Sequence, residues 1–199
     1  MARHKEAERE KIAAGTRRAL LDAATQEFAR GGYEAANINR ISLAAGFAKG
    51  TVYNYFPSKR ALMLTLIDDI AAAHINAIMD RVGEMEDPEE RLERFFEAGF
   101  AWVVEQTEQA RVMITALYGP DEELRNHMYQ AYLPLFQFVA EQIISHGIDR
   151  GRFRQVGPMA TAGLLMTIYL GTASQTDEAG RTWLDPQQVS DFAIHALRG

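Results

Sequence analysis

Residues 37–59 hold a group of side chains that could bind nucleic acid. The stretch reads NINRISLAAGFAKGTVYNYFPSK, and its second half predicts a short helix from about Lys49 to Tyr55. Val52 and Phe56 would face inward from that helix. The other side chains are not needed for a core, and their lysine, amide and hydroxyl groups can hydrogen-bond base edges or phosphates. They are Lys49, Thr51, Tyr53, Asn54 and Tyr55.

Two preceding elements would position this helix. A helix over 10–29 has a periodic apolar face, and Gly31-Gly32 is expected to end it. A short helix over 38–45 begins after Asn37, whose side chain can accept a backbone N–H, and ends at Gly46, which permits a left-handed turn. The three helices could bury one small core, formed by Leu20, Phe28, Ile38, Ile41, Val52 and Phe56. The last helix would then be free to fit a major groove.

The charge distribution also favours a polyanion as partner of the N-terminal part. The net charge of the 199 residues is -6, but residues 1–60 hold 11 Lys+Arg against 6 Asp+Glu, and residues 61–199 hold 10 against 21. A basic first third on an acidic remainder is typical of a chain whose N-terminal part alone contacts nucleic acid. The chain has no cysteine, which excludes disulfides and thiolate zinc sites and makes the cytoplasm the expected location.

The rest of the chain predicts helices throughout. Apolar periodicity and glycine or proline breaks place them at 59–82, 88–106, 108–117, 121–147, 157–174 and 186–198. The uncharged segment 156–176 is long enough to span a bilayer, but its glycines, threonines and Pro158 favour a buried helix, and no membrane association is expected. We therefore predict an all-α fold with a DNA-binding domain over 1–60 and a larger helical domain over 61–199.

The stretch from Arg17 to Leu62 resembles the tetracycline-repressor (TetR) family of bacterial regulators. The shared motifs are LLDAA, FAxxGY, AAGFAKGTVYxYF and PSK. The resemblance implies that Asn37 caps its helix and contacts a phosphate. It implies that Lys49, Gly50 and Thr51 approach base edges, that Tyr53, Tyr55 and Lys59 contact phosphates, and that Asn54 does either.

Two residues depart from the family pattern. Ala48 stands where the family has a capping serine or threonine, so the recognition helix loses a cap worth about 0.5–2 kcal/mol. Arg40 stands where the family has an acidic residue, so no capping box closes with Asn37. Arg40 could instead reach the DNA backbone or remain solvated. Four basic residues further upstream could form an arm over the DNA or a tail without contacts: Arg3, Lys5, Arg9 and Lys11.

Residues 88–174 are rich in aromatic side chains and methionine. Core packing explains any one of them, but as a set they could line an apolar cavity for a small molecule, and the resemblance implies such a pocket here. The residues predicted to line it are Trp102, Met113, Tyr132, Phe136, Met166 and Tyr169. An uncharged hydrophobic or aromatic inducer would suit this lining, and His74 and Arg111 could bind a polar or acidic group on it.

A stripe of small residues predicts close helix packing between subunits. Gly163, Thr167 and Gly171 recur every four residues. The resemblance implies that helices 157–174 and 186–198 form a dimer interface, to which Phe192 would contribute. Two recognition helices would then lie about 34–36 Å apart on a palindromic operator. An inducer would shift helix 59–82, change that spacing and release the repressor.

Two other functions remain open at this stage. Glu123 and His127 lie four residues apart, a spacing that can hold a metal in a helical enzyme, but there is no second pair and no catalytic motif. A solvated Glu–His pair is the expectation, with no metal, cofactor or catalysis. The second alternative is a DNA-binding dimer that has no small-molecule ligand.

Overall fold

The computed structural model describes residues 2–83, 85–175, 177 and 182–198, with side chains from residue 6 onward. These residues form an all-α fold without β-strands, as predicted. The helices are α1 (Ala2–Ala35), α2 (Ile38–Ala44), α3 (Lys59–Val82), α4 (Pro88–Glu105), α5 (Thr107–Tyr118), α6 (Glu122–Phe138), α7 (His146–Asp149), α8 (Pro158–Ala173) and α9 (Pro186–Leu197). A 3-10 turn covers Thr51–Asn54, and a π-helical segment, Val139–Ser145, joins α6 to α7.

Helix α1 is longer than predicted at both ends. Residues 2–9 are helical because they contain only strong helix formers and histidine, with no glycine or proline to stop the helix. Whether the basic residues of this segment form an arm over the DNA or a tail without contacts stays a prediction, and the side chains of Arg3 and Lys5 lie outside the described residues. Gly32 does not end the helix but kinks it, with φ 71° and ψ 178°, and helical structure resumes up to Ala35.

The predicted recognition helix is a 3-10 turn. Gly50 precedes the turn in the left-handed region, with φ 81°, and supplies no side-chain cap. The Ala48 carbonyl accepts the Thr51 backbone N–H and the Thr51 Oγ1–H, the latter at 2.7 Å. The element is thus a single tight turn that begins after a left-handed glycine and has no side-chain cap.

Helix α3 joins the N-terminal helices to the rest of the fold. Its bounds match the prediction, because Ser58 Oγ caps Ala61 N at 3.0 Å and Gly83 ends it with φ 58°. By length and composition α3 could span a membrane, but half of its most apolar window is buried inside the fold, where it packs between α1, α4, α5 and α6. The predicted domain division at 60/61 falls just inside this helix.

The C-terminal helices enclose one hydrophobic core. Helices α4, α5, α8 and α9 lie within two residues of their predicted bounds. The helix predicted over 121–147 is confirmed as a continuous helical stretch, in which α6 contains Pro134 and the backbone widens into the π-helical segment after Phe138. The terminal helix α9 packs on α4 and α8. The core is continuous from Leu20 in α1 to Leu197 in α9.

Candidate DNA-binding surface and internal cavity

The 3-10 turn presents a polar surface beside a buried core. Val52 and Phe56 are buried as predicted, while Lys49 and Asn54 are exposed and Tyr53 is 55% exposed. Gly50 and Thr51 are half-buried between them. We call Lys49, Gly50, Thr51, Tyr53 and Asn54 the turn surface. Asn37 lies at the start of α2, where its Oδ1 accepts the backbone N–H of Asn39 at 2.9 Å, as predicted for a cap.

Two residues predicted to contact phosphates also have partners within the protein. Tyr55 is half-buried and packs against the hydrophobic core. Lys59 Nζ donates to the backbone carbonyls of Glu34 at 2.8 Å and Ala36 at 3.3 Å, and it lies 4.8 Å from the centre of the Tyr33 ring. The ammonium group of Lys59 therefore caps the C-terminal end of α1, where the carbonyl groups have no helical partner.

The sequence left open whether Arg40 reaches the DNA backbone or remains solvated. In the structure its guanidinium group binds a carboxylate of the same chain. Its Nε donates to Glu27 Oε1 at 2.9 Å, and the same oxygen accepts the backbone N–H of Asn37 at 2.9 Å. Arg30 binds the other oxygen of this carboxylate. Burial alone would raise the pKa of Glu27, but the Asn37 N–H and the two guanidinium groups together hold that pKa below its usual value. Glu27 thus connects α1 to α2.

An internal cavity lies between α3, α4, α5, α6 and α8. All six residues predicted to form a pocket line it: Trp102, Met113, Tyr132, Phe136, Met166 and Tyr169. His74 lines it as well, whereas Arg111 is exposed in an open groove between α1, α2 and α5, so its predicted place in the pocket is wrong. Among the described residues, none of those lining the cavity is charged, and its free volume is about 40 Å³.

A directional chain of hydrogen bonds crosses the cavity wall. The Tyr169 hydroxyl donates to the Gly99 carbonyl at 3.1 Å, so it cannot also donate to His74 Nε2, which lies 3.0 Å away. His74 Nε2–H must therefore donate to Tyr169, which leaves Nδ1 to accept the Tyr132 hydroxyl at 2.7 Å. This series of hydrogen bonds runs from α6 through α3 and α8 to α4, and it involves both nitrogen atoms of the imidazole.

The imidazole of His74 is uncharged in this setting. Burial lowers its pKa to about 3, and burial raises the pKa values of Tyr132 and Tyr169 above that of free tyrosine. The cavity wall thus carries no charge near neutral pH. Gly99 belongs to the same arrangement although nothing in the sequence marks it, because a Cβ there would lie 2.6 Å from Tyr169 Cε2.

An exposed apolar face covers α8 and α9. Phe192 is 68% exposed, and Leu164 is 61% exposed beside Gly163 and Thr167. A Cβ added at Gly163 or Gly171 would meet no atom within 4 Å, so the small-residue stripe faces outward within the single chain. These positions leave room for a second helix to approach closely.

Glu123 and His127 do not form the expected solvated pair. Glu123 pairs with Arg60 at 2.8 Å, and His127 Nε2 lies 2.7 Å from Asp68 Oδ1. The described part of the chain contains no group of three or more residues that could hold a metal. Instead, the two side chains attach the N-terminal half of α6 to α3, where Arg60 also binds Asp121.

Comparisons with known proteins agree with this arrangement. The family model "Bacterial regulatory proteins, tetR family" matches residues 20–66. The HTH-type transcriptional repressor AcnR of Corynebacterium efficiens is 31% identical over 163 residues, which cover 79% of this chain and 77% of AcnR. The chain belongs to the tetR family of bacterial regulatory proteins. It is a helix-turn-helix transcriptional regulator, and the matched residues of this tetR-family chain include the whole turn surface.

Two further comparisons, one of sequence and one of structure, cover the remaining helices. The fatty acid metabolism regulator protein of Bacillus subtilis is 25% identical to this tetR-family chain over 176 residues, 87% of the chain and 86% of the regulator. The crystal structure of FadR from Bacillus subtilis in complex with stearoyl-CoA has a TM-score of 0.76 at 20% identity, covering 91% of this chain and 97% of that one. The C-terminal helices thus share their fold with a solved structure.

Proposed function

We propose that the protein is a dimeric repressor that binds a palindromic operator and is released when an uncharged hydrophobic or aromatic inducer enters the cavity. The observation that carries the proposal is the course of α3. This helix begins at Lys59, beside the turn surface, and carries His74 into the cavity wall. A change in the cavity can therefore reach the DNA-binding residues through one rigid element.

The turn surface is the proposed reader of DNA. Lys49, Thr51 and Asn54 carry groups that pair with base edges, and the exposed hydroxyl of Tyr53 suits a phosphate. Gly50 allows the DNA to approach its backbone, since no side chain covers it. Asn37 keeps its amide N–H groups for a phosphate while its oxygen caps α2. Arg40, Tyr55 and Lys59 contribute through position, because each is already held by the protein.

The cavity is the proposed inducer site. An uncharged lining excludes a buried anion or cation, since a charge would lose its hydration without a partner. Stearoyl-CoA, bound by the FadR of Bacillus subtilis, has a long apolar part, which supports an apolar ligand here. Differential affinity is required, because an inducer that binds the DNA-bound and released states equally shifts nothing.

The exposed face of α8 and α9 is the proposed dimer interface, with Gly163, Thr167, Gly171 and Phe192 in contact with a second copy. Closed two-fold dimers bury the same patch on both subunits, which suits one apolar face on each chain. We further propose a cytoplasmic protein without catalytic activity, as the relatives named above are regulators.

The free volume of the cavity, about 40 Å³, favours a second candidate, a repressor that has no ligand. The two differ in one measurement. Thermal melting with a panel of uncharged aromatic and aliphatic compounds should raise the melting temperature of a sensor, whereas unchanged melting with every compound supports the second candidate.

Selection of duplexes from a random library tests DNA binding. The recovered duplex is titrated by fluorescence anisotropy with the wild type and with Lys49→Ala/Tyr53→Ala. A matched control, Arg94→Ala/Tyr118→Ala, removes one exposed cation and one exposed tyrosine from α4 and α5. We expect at least tenfold weaker binding for the first pair and wild-type binding for the control. Equal binding by all three proteins would refute the proposed surface.

A further inference from the structure

Trp102 separates the cavity from a second space. One face of its indole stacks on His74, with ring centroids 4.0 Å apart and planes inclined by 17°. The same side chain also lines an outer groove of about 340 Å³. That groove lies between α1, α3 and the junction of α4 and α5, and its walls include Leu21, Thr25, Leu66, Ile70 and Gln109.

The cavity is too small for an aromatic ligand unless a side chain leaves it. A dry cavity of about 150 Å³ binds benzene, whereas the free volume here is about 40 Å³. The neighbouring groove is large enough to receive a displaced ring. Trp102 is the aromatic residue of the cavity that also lines this groove.

Trp102 is also held more weakly than the other rings of the wall. His74, Tyr132 and Tyr169 are joined by hydrogen bonds, but the indole N–H of Trp102 makes none with any group in the described part of the chain. Every buried side-chain nitrogen and oxygen atom in the described part of the chain has a hydrogen-bond partner, so this N–H is not one of the buried atoms. Trp102 lies one turn before α4 ends, and at Gln106 the backbone leaves the helix with φ -118° and ψ 50°.

We infer that the ligand is an uncharged planar aromatic ring that displaces Trp102 from His74, and that the displaced indole moves into the outer groove and separates α1 from α3. This inference rests on the proposed function and adds its ligand class and its moving part. The uncharged wall selects an uncharged ligand, and the flat, neutral face of His74 selects a planar one. Because α1 and α3 flank the helix-turn-helix, a wedge between them moves the turn surface.

The movement of Trp102 can be followed directly in the full-length protein. The chain contains two tryptophans, so labelling with 5-fluorotryptophan gives two ¹⁹F signals, and Trp183→Phe assigns the one from Trp102. The probe is indole, which matches the displaced ring, and the charged control is indole-3-acetate. We expect indole to shift the Trp102 signal and to weaken binding of the selected duplex at least fivefold, and indole-3-acetate to do neither.

Trp102→Ala tests the coupling. The enlarged cavity of this variant should bind indole, which would raise the melting temperature. The affinity of the variant for the duplex should nevertheless change less than twofold when indole is added. The inference is overturned if this variant responds to indole like the wild type, or if indole leaves the wild-type Trp102 signal in place. The ¹⁹F result decides alone if the variant does not fold. If the wild type does not bind the duplex even without indole, the proposed function is refuted, whatever the ¹⁹F signal shows.

Discussion

Gly99→Ala should destabilise the protein although alanine favours helices more than glycine does. In the structure a Cβ at residue 99 would lie 2.6 Å from Cε2 and 2.8 Å from Cζ of Tyr169, whose side chain is fully buried and cannot move into solvent. Overpacking of this kind costs about 1–3 kcal/mol. Displacing the Tyr169 hydroxyl from the Gly99 carbonyl adds about 1 kcal/mol. The helix preference of alanine returns about 1 kcal/mol.

The expected net loss is about 1–3 kcal/mol in the free energy of unfolding, measured by urea denaturation. Gly15→Ala is the matched control, because Gly15 lies in α1 with no atom within 4 Å of the added Cβ. It should stabilise the protein by about 0.5–1 kcal/mol. In a Tyr169→Leu background the cost of Gly99→Ala should fall, since the outer ring atoms are gone. The reasoning fails if Gly99→Ala is as stable as the wild type.

Three other perturbations have defined outcomes. His74 is uncharged in the folded protein, so only the unfolded chain takes up a proton at this residue as the pH falls below about 6.5. Between pH 7.5 and pH 5 the free energy of unfolding of the wild type, measured by urea titration, should therefore fall by about 2 kcal/mol more than that of His74→Gln. Equal losses in the two proteins would contradict this. Glu27→Gln should lower the free energy of unfolding by about 1–3 kcal/mol, because the Asn37 N–H and two arginines all bind that carboxylate. The control Glu10→Gln, at an exposed position, should have no effect in the same titrations. Phe192→Glu should give monomers by size exclusion with light scattering, and Val104→Glu, exposed on α4, should remain dimeric; a dimer in both would exclude the proposed interface.

Local signals in the sequence account for much of the fold. Helix α3 was predictable because Ser58 caps its start and Gly83 ends it, and both act on the neighbouring backbone. The six residues predicted for the cavity share its wall because an apolar period places them on the inner faces of their helices. The motif around the turn surface indicated the family because its residues follow one another closely in the sequence.

The errors arise where distant residues meet. Glu27 and Arg40 are thirteen positions apart, so their ion pair depends on the angle between α1 and α2, which no local pattern sets. The sequence predicts Arg111 in the pocket, but its side chain lies on the other side of α5. The sequence also did not indicate that the recognition helix is a 3-10 turn or that the helix widens into a π-helical segment after Phe138. The series of hydrogen bonds through His74 joins four helices, so it could be recognised only from the tertiary structure.

Crosslinking at residue 53 tests most directly whether the turn surface contacts DNA. A photoreactive phenylalanine replaces Tyr53 in one sample and Tyr118 in another, and each is irradiated with the selected duplex. We predict a covalent adduct from position 53 that disappears when an inducer is added, and none from position 118. Retention of the duplex without an adduct at position 53 would contradict the account.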